Sequence, residues 1–458
     1  MPTPNQLIEL EFRQWGALTA RDLCAALQVS QPTLSRLLAR HGRQVIRLGR
    51  GPSTRYAMAR EIAGSGSSWP LYSIDPSGKP HHVGVLHSLQ NRQWALVQDE
   101  SWDALRGSDF PLGLYPDLPW FLDDLRPQGF LGRAFAHTYR RTLGFPADPR
   151  SWSADDVLTA LLRFGYDLAG SFVIGEQMLT AVQDRVINPP EAIPATARSE
   201  EYPKLAEAML KGEWPGSSAA GEQPKFVARV RDEDGIVRHV IVKFSGRGER
   251  PEHQRWRDLL AAEEIAASVL SASGIPAAHT CLLEAEGRVF LESQRFDRVG
   301  EHGRRGLVSM SALDAAFFGE LHTPWTAAAG RMLSAGWLTT EDAEKLTILG
   351  WFGQSIANKD MHYGNASLFL DRNRPVGLAP SYDMLPMLYR PDIEGALPER
   401  QFVPPPPLPE SAGAWTKATG LAETYWARLS EAANISDSFR SIGSRNREIV
   451  AKYRRQFA

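Results

Sequence analysis

The chain has 458 residues, 43% hydrophobic and 23% charged, as in an ordinary globular protein of two or three domains. It contains no apolar run of membrane-spanning length and no secretory signal pattern at Met1, so we expect a cytoplasmic protein without membrane contact. Its two cysteines, Cys24 and Cys281, are too few and too far apart for a disulfide framework or a thiolate metal site.

The charge is unevenly distributed. Residues 1–60 carry nine arginines against three acidic residues, a net charge of +6, while the whole chain carries −2. The remaining sequence is therefore acidic. A basic head on an acidic body predicts a nucleic-acid partner at the head only.

The head has the pattern of a winged helix-turn-helix. Thr19 can cap a helix over 20–28, and Gln31-Pro32 opens a second helix after a short turn. A hairpin of 45–48 and 55–58 would form the wing. The alternative is a helical pair used for dimerisation. The side chains expected to contact DNA are Gln31, Thr33, Ser35, Arg36, Arg40 and Arg50.

The middle region starts after Gly64–Ser68, a small-residue stretch that predicts a flexible joint. Strands over 69–74 and 82–86 then indicate a small α+β unit. A proline-rich stretch at 188–194 marks a further boundary. We therefore predict domains over 1–63, 69–187, 195–297 and 298–458.

A loop of small residues, 216–225, then leads into a hairpin whose returning strand ends with Lys243. Protein kinases hold ATP phosphates with a glycine-rich loop and a strand lysine arranged in this order. The loop lacks the Gly-Lys-Ser/Thr of a Walker A motif. The alternative is a surface loop with Lys243 extended into solvent at the strand end.

A long helix predicted over 259–273 carries Glu263 and Glu264, and either glutamate could pair with Lys243. Further along, a helix ends near Ala357 and gives way to a polar loop with Asp360 and Asn365. A short apolar hairpin and then Asp383 follow, which is the layout of a kinase catalytic loop and its metal-binding aspartate. The alternative is a solvated loop that caps the preceding helix.

These segments occur in kinase order between residues 218 and 383, which predicts an ATP-dependent phosphotransferase. At this point the chain resembles the HipA family of toxin kinases from bacterial toxin–antitoxin systems. The matching stretches are Ser218-x-x-Gly-x-Gln-x-Lys225, Glu263, Arg295-Phe-Asp-Arg298, Ile356-x-Asn-x-Asp-x-His-x-x-Asn365 and Tyr382-Asp-Met-Leu-Pro386, with weaker matches at Phe121–Gly129 and Asp167–Gly170.

The resemblance implies a role for each matched residue. Asp360 would be the catalytic base, and Asn365 and Asp383 would be the ligands of Mg²⁺. Ser218, or its neighbour Ser217, would be the autophosphorylated serine. The residues implied to contact ATP are Lys243, Glu263, Ser218, Gly221, Gln223, Lys225 and His362.

The fold class implied is α+β: a helix-turn-helix head, a small α+β subdomain and a two-lobed kinase-like core with a mainly helical C-lobe. The fused head is similar to the YjjJ-like branch of the family, whereas HipA-type toxins usually rely on a separate DNA-binding antitoxin. Implied partners are a protein substrate (an aminoacyl-tRNA synthetase by resemblance only), DNA, an antitoxin and a second copy of the chain.

Two other functions stay open from the sequence. Asp360, His362 and Asp383 could hold a metal ion that activates water for DNA cleavage. The chain could also be a catalytically weak relative that acts only as a transcriptional regulator.

Overall fold

The structure is a computed structural model that describes residues 3–99, 101–107, 109–211 and 223–457. Contacts between residues divide these into two units. The first unit comprises the described residues up to Arg126, together with Trp152–Asn188 and Asp371–Asn373. The second comprises Pro127–Ser151, Pro189–Leu370 and the described residues from Arg374 onward.

The head of the first unit has the elements α1 (Pro4–Trp15), β1 (Leu18–Thr19), α2 (Ala20–Leu27), α3 (Gln31–His41), β2 (Val45–Leu48) and β3 (Arg55–Met58). Thr19 and Asp22 form the capping box that starts α2, with Asp22 N donating to Thr19 Oγ1 at 3.2 Å. The strands pair antiparallel in the order β1-β3-β2. One apolar face of each helix meets this sheet, burying Phe12, Leu23 and Leu34.

The rest of the first unit is a sheet with short helices. Its elements are β4 (Ser68–Ile74), β5 (Pro80–Ser88), β6 (Trp94–Gln98), α4 (Asp103–Arg106), β7 (Leu114–Tyr115), α6 (Ala154–Phe164), β8 (Phe172–Ile174) and α7 (Glu176–Ile187). The strand order is β7-β6-β5-β4-β8, all antiparallel. Trp69 and Trp94 pack against each other, with ring centroids 6.3 Å apart.

The Gly64–Ser68 stretch is not the flexible joint that its composition predicts. Ile62 and Gly66 pair as a β-bridge, and Trp69 Nε1 donates to Ser65 O at 2.6 Å. The Ser65 hydroxyl lies 3.0 Å from that of Thr159. Because glycine and serine also suit tight turns, small residues alone cannot distinguish a closed turn from a loose linker.

The second unit contains α5 (Gly129–Leu143), β9 (Ile193–Pro194), α8 (Arg198–Lys211), β10 (Lys225–Arg231), β11 (Val237–Phe244), α9 (Pro251–Ala272), β12 (Thr280–Ala285), β13 (Arg288–Gln294), β14 (Arg298–Val299), β15 (Gly303–Arg304), β16 (Val308–Ser309), α10 (Met310–Phe317), α11 (Trp325–Ser334), α12 (Thr340–Ser355), β17 (Ser367–Phe369), β18 (Gly377–Leu378), α13 (Ala412–Glu431) and α14 (Asp437–Phe457).

The larger sheet of this unit has the order β12-β13-β11-β10-β9. Strands β10 and β11 form the predicted hairpin, in which Lys225 lies directly opposite Lys243. An aromatic cluster of Tyr202, Phe226 and Phe290 fills one face of the sheet. This packing supports the side chains at the end of the central strand β11, Lys243 among them.

Helix α9 is longer than predicted: it begins at Pro251, where proline suits the first helical position, and not at Leu259. Arg255 and Asp258 are buried in the added turns. Because charged residues are expected on the surface, they interrupt the apolar pattern from which the helix was predicted. Helix α13 packs against both α12 and α14, and its Trp426 Nε1 donates to Ser355 O at 3.0 Å. Among the described residues, no helix is both long and apolar enough to cross a membrane.

Candidate active site

Three charged side chains from distant segments of the second unit meet at one point. Lys243, at the end of β11, places its Nζ 2.6 and 2.7 Å from the two carboxylate oxygens of Glu263 on α9. The same ammonium group also contacts the Asp383 carboxylate. Lys243 and Glu263 are buried, and Asp383 is half-buried. Glu264, the other sequence candidate, does not contact Lys243; burial raises its pKa.

The shared ammonium determines the protonation of the group. Burial disfavours charge on Lys243, but the nearby Asp383 and Glu263 carboxylates outweigh it and raise the lysine pKa. Burial raises the pKa of Glu263, against the opposing charge of Lys243. For Asp383, burial is outweighed by the charges of Lys243 and Lys225, and its pKa is lowered. Lys243 and Asp383 are therefore both charged at neutral pH.

The polar loop after α12 is held in shape by its own side chains. Asp360 N donates to Asn358 Oδ1 at 2.9 Å, and Asn365 Nδ2 donates to Asp360 O at 2.8 Å. The chain turns sharply into this loop at Ala357, whose φ is +60°. The loop thus carries Asp360 and Asn365 on one compact framework.

A second contact joins this loop to Asp383. Asn358 Nδ2 donates to Asp383 O at 3.4 Å. Asp383 itself has a φ of +53°, a left-handed conformation that a non-glycine residue seldom adopts. Asn358 is buried and contacts the backbone of both aspartates, so it holds the loop and the Asp383 segment together.

The remaining candidates lie at different distances from this centre. Lys225, opposite Lys243 on β10, is near enough for its charge to lower the pKa of both Glu263 and Asp383. The Gln223 amide donates to Phe244 O. His362 is exposed, and its Nδ1 accepts a hydrogen bond from Gly364 N at 3.1 Å. Ser217, Ser218 and Gly221 lie outside the described residues.

The donor set suits a hard cation such as Mg²⁺, which prefers carboxylate and amide oxygens. Asp383 offers a carboxylate, and Asn365 offers its amide oxygen because the amide nitrogen is used by Asp360 O. No three His, Cys, Asp or Glu side chains in the described part of the chain are grouped to hold one metal ion. Asp360, His362 and Asp383 therefore do not form the three-ligand cluster that the DNA-cleavage alternative requires.

Sequence reasoning assigned no role to two residues that organise the site, Asn358 and Tyr382. The Tyr382 hydroxyl donates to Gly364 O at 2.8 Å and lies 2.7 Å from Ser367 Oγ. The available signal was position: Asn358 stands two residues before Asp360, and Tyr382 directly precedes Asp383.

The residues predicted to contact DNA lie on α3 and on the turn after β2. Most of them are exposed, and Thr33 is half-buried. The guanidinium of Arg36 folds back toward Thr33 Oγ1, at 3.4 Å. The exposed set is Gln31, Ser35, Arg36, Arg40 and Arg50.

Comparison with known proteins shows the family to which the chain belongs. The family described as HipA-like C-terminal domain matches residues 217–452, and the middle domain of YjjJ-like toxins matches residues 65–183. Toxin YjjJ of Escherichia coli K12 is 36% identical over 452 residues, covering 97% of each chain. The chain belongs to the HipA-like toxins, in their YjjJ-like branch. The resemblance inferred from the motifs is thereby confirmed.

Solved structures show that this HipA-like toxin shares the HipA fold. HipA of Shewanella oneidensis MR-1, in a complex with HipB and operator DNA, aligns with a TM-score of 0.50 at 14% identity. The alignment covers 85% of this chain and 97% of that one. The Helicobacter pylori proinflammatory kinase CtkA aligns over 50% of this chain at 10% identity. That alignment covers 92% of the CtkA chain, with a TM-score of 0.34.

Proposed function

We propose that this HipA-like toxin is an ATP-dependent protein kinase that phosphorylates serine or threonine. The observation that carries the proposal is the contact of the Lys243 ammonium with Glu263 and Asp383. In kinases a strand lysine paired with a helix glutamate binds the α- and β-phosphates, and an aspartate beyond the catalytic loop binds metal. A buried lysine shared by two acids otherwise has no evident structural use, since apolar packing would be at least as stable.

Each residue then has a task. Lys243, held by Glu263, binds and orients the ATP phosphates. Asp360 accepts the proton of the substrate hydroxyl. The hydroxyl oxygen then bonds to the γ-phosphorus, and the bond between this phosphorus and the ADP oxygen breaks. Asn365 and Asp383 would hold Mg²⁺, which when bound neutralises phosphate charge. Acceleration comes mainly from positioning, because a loose phosphoryl-transfer transition state needs little covalent help.

Regulation follows the same chemistry. Ser218, or Ser217, is proposed as a site of autophosphorylation in the small-residue loop. If this loop binds the ATP phosphates as the family resemblance implies, a phosphate on its serine would add nearly two negative charges and repel them. The enzyme would thereby switch itself off.

We also propose that the head is a winged helix-turn-helix that binds DNA. The exposed polar and basic face of α3 and Arg50 on the hairpin turn support this, together with the +6 charge of residues 1–60. An antitoxin partner and a protein substrate belong to the same proposal. A HipA relative forms a complex with HipB and its operator DNA, and a head fused to the toxin would allow self-repression.

The kinase proposal is tested by intact-mass measurement after incubation with Mg-ATP. The wild type should gain about 80 Da per phosphate, and Asp360→Ala should gain none because no base accepts the hydroxyl proton. Asp234→Ala, in the exposed turn between β10 and β11, is the matched control and should behave as the wild type. Full phosphorylation by Asp360→Ala would refute the assignment. Plasmid nicking without ATP, lost on chelation, would favour the DNA-cleavage alternative.

The DNA proposal is tested by fluorescence anisotropy with a duplex from the region upstream of the protein's own coding sequence. Arg36→Ala with Arg40→Ala should weaken binding at least about tenfold and reduce the salt dependence by about two counterions. Arg13→Ala, an exposed arginine on α1, is the control. Tight DNA binding in a protein that binds no ATP would indicate a transcriptional regulator without kinase activity.

A further inference from the structure

One tyrosine links the two segments that carry the proposed metal ligands. Tyr382 directly precedes Asp383, and Gly364 directly precedes Asn365. The Tyr382 hydroxyl donates its hydrogen to Gly364 O at 2.8 Å, so Ser367 Oγ, 2.7 Å away, must donate to it. Tyr382, which precedes the proposed ligand Asp383, is therefore hydrogen-bonded to the backbone that precedes the proposed ligand Asn365.

The ring of Tyr382 is fixed as firmly as its hydroxyl. It packs on Phe296, with centroids 5.7 Å apart and planes tilted by 35°, and Phe296 contacts Phe369 at 6.1 Å. On the other side, Ser381 N donates to Pro276 O, and Ala278 N donates to Ser381 O, both at 2.9 Å. Tyr382 is thus held by the backbone hydrogen bonds of its neighbour Ser381 and by the ring of Phe296.

The segment needs such anchors because its backbone is strained. Asp383 has a φ of +53°, a left-handed conformation that costs most residues with a side chain about 1 kcal/mol or more and that aspartate tolerates better than most. Strain of this kind persists only when the surroundings hold it in place. The contacts that hold it include the Tyr382 hydroxyl, the Asn358 amide, which reaches Asp383 O at 3.4 Å, and the Lys243 ammonium on the Asp383 carboxylate.

We infer that Tyr382 is a positioning residue: its hydroxyl, bonded to Gly364 and Ser367, fixes the separation of Asp383 and Asn365 before any cation binds. The inference rests on the proposed kinase function for the meaning of those two ligands. The hydroxyl is the decisive group, because a phenylalanine at this position would keep the ring contact with Phe296 and lose the hydroxyl's bonds to Gly364 and Ser367.

The test compares Tyr382→Phe with Tyr425→Phe. Tyr425 is a matched control because its buried hydroxyl has no partner within the described residues. Binding of a non-hydrolysable ATP analogue is measured by calorimetry at a series of Mg²⁺ concentrations. Tyr382→Phe should raise the Mg²⁺ concentration for half-maximal binding about tenfold, as loss of an outer-shell partner does elsewhere. Ser367→Ala, which removes one of the two hydroxyl partners, should give a smaller shift.

Hydrogen–deuterium exchange gives a readout that does not depend on ATP. Backbone amides of 361–368 and 381–385 should exchange faster in Tyr382→Phe than in the wild type and in Tyr425→Phe, at an unchanged melting temperature. Unchanged exchange, or a Mg²⁺ requirement within about twofold of the wild type, overturns the inference. An equal shift in both variants overturns it as well. If the wild type binds no Mg-ATP, the kinase proposal fails, and the exchange result still decides whether Tyr382 holds the two segments together.

Discussion

Asp258 on α9 accepts two hydrogen bonds from Ser436, which is 178 residues further along the chain: one from Ser436 N at 2.9 Å and one from its hydroxyl at 2.7 Å. Three positions earlier, Arg255 Nη1 donates to Tyr389 O at 2.9 Å. These contacts fasten the first half of α9 to the helical part of its own unit. Glu263, further along the helix, is therefore supported in its position against Lys243 by contacts within its own unit.

This anchor leads to a prediction about stability. Asp258→Ala should lower the free energy of unfolding by about 1–3 kcal/mol, because it leaves the half-buried Ser436 N and Gln254 amide without their acceptor. Asp437→Ala, whose side chain is 90% exposed, should cost about 0.5 kcal/mol or less. Urea unfolding measures both. Equal losses in the two variants would contradict the anchoring role.

Among the three side chains that meet at Lys243, loss of Lys243 should destabilise the protein more than loss of Glu263. Lys243→Ala leaves two carboxylates without their cation and should cost about 3–5 kcal/mol, whereas Glu263→Ala should cost less because Lys243 keeps Asp383. Adding Glu263→Gln to Lys243→Ala should recover part of the loss. Thermal and urea unfolding of the three variants check the order, and a Glu263→Ala loss as large as that of Lys243→Ala would refute it.

Asn358 should matter for activity more than for stability. Asn358→Ala removes the acceptor for Asp360 N and the donor to Asp383 O, so both aspartates lose a backbone support. If the kinase proposal holds, kcat should fall about 10- to 100-fold, since small misplacements of reacting groups cost that much. Steady-state kinetics measure the effect. The exposed Asn434→Ala is the control, and an unchanged kcat in Asn358→Ala would argue against the role.

In the first unit, His87 predicts loss of stability in mild acid. Burial lowers the pKa of His87 to about 4, and its Nδ1 lies 2.7 Å from Ser68 Oγ. Between about pH 6.5 and pH 4 the unfolded chain binds a proton at this histidine that the folded chain does not, so stability falls as pH falls. The loss should approach about 2–3 kcal/mol at pH 4.

Replacing the histidine should flatten that pH dependence. Urea unfolding of His87→Asn between pH 7 and pH 4 should have a smaller slope against pH than the wild type, whatever its stability at pH 7. His137→Asn, on an exposed position of α5, should keep the wild-type slope. A wild-type slope in His87→Asn would show that another group titrates.

Loss of the ion pair between Arg60 and Asp155 should make the chain that follows the head easier to cleave. Arg60 binds Asp155 through two hydrogen bonds of 2.5 and 2.8 Å and also donates to Leu89 O at 3.2 Å. Both side chains are partly exposed, so Asp155→Asn should cost only about 1 kcal/mol. It should nevertheless speed limited proteolysis at Gly64–Ser68, while the exposed Asp117→Asn should not. Equal cleavage rates would mean that the turn holds the head without this pair.

Local sequence rules predicted local structure well. Thr19 and Asp22 start α2, Pro32 lies in the first turn of α3, and the turn at 232–235 closes the hairpin that carries Lys243. Such features depend on neighbours a few residues away, which are visible in the sequence. The order of the motifs led from there to the family.

Other features depended on partners that are distant in the chain. The residues alone left Glu263 and Glu264 both open, the family resemblance pointed to Glu263, and the structure pairs Glu263 with Lys243. Arg255 and Asp258 concealed the start of α9 because their partners lie more than a hundred positions away. Gly64–Ser68 closed into a turn because Thr159, 94 residues after Ser65, binds it.

By itself, the sequence determined which chemical groups the protein has and the order in which they follow one another: a strand lysine, a helix acid, a loop aspartate with its asparagine, and a last aspartate. Only the tertiary structure decided which of them meet and what holds them there. The physical reason is that Lys243 can contact Glu263 and Asp383 only after folding brings these three distant positions to one point. Burial there strengthens their interaction and sets their protonation.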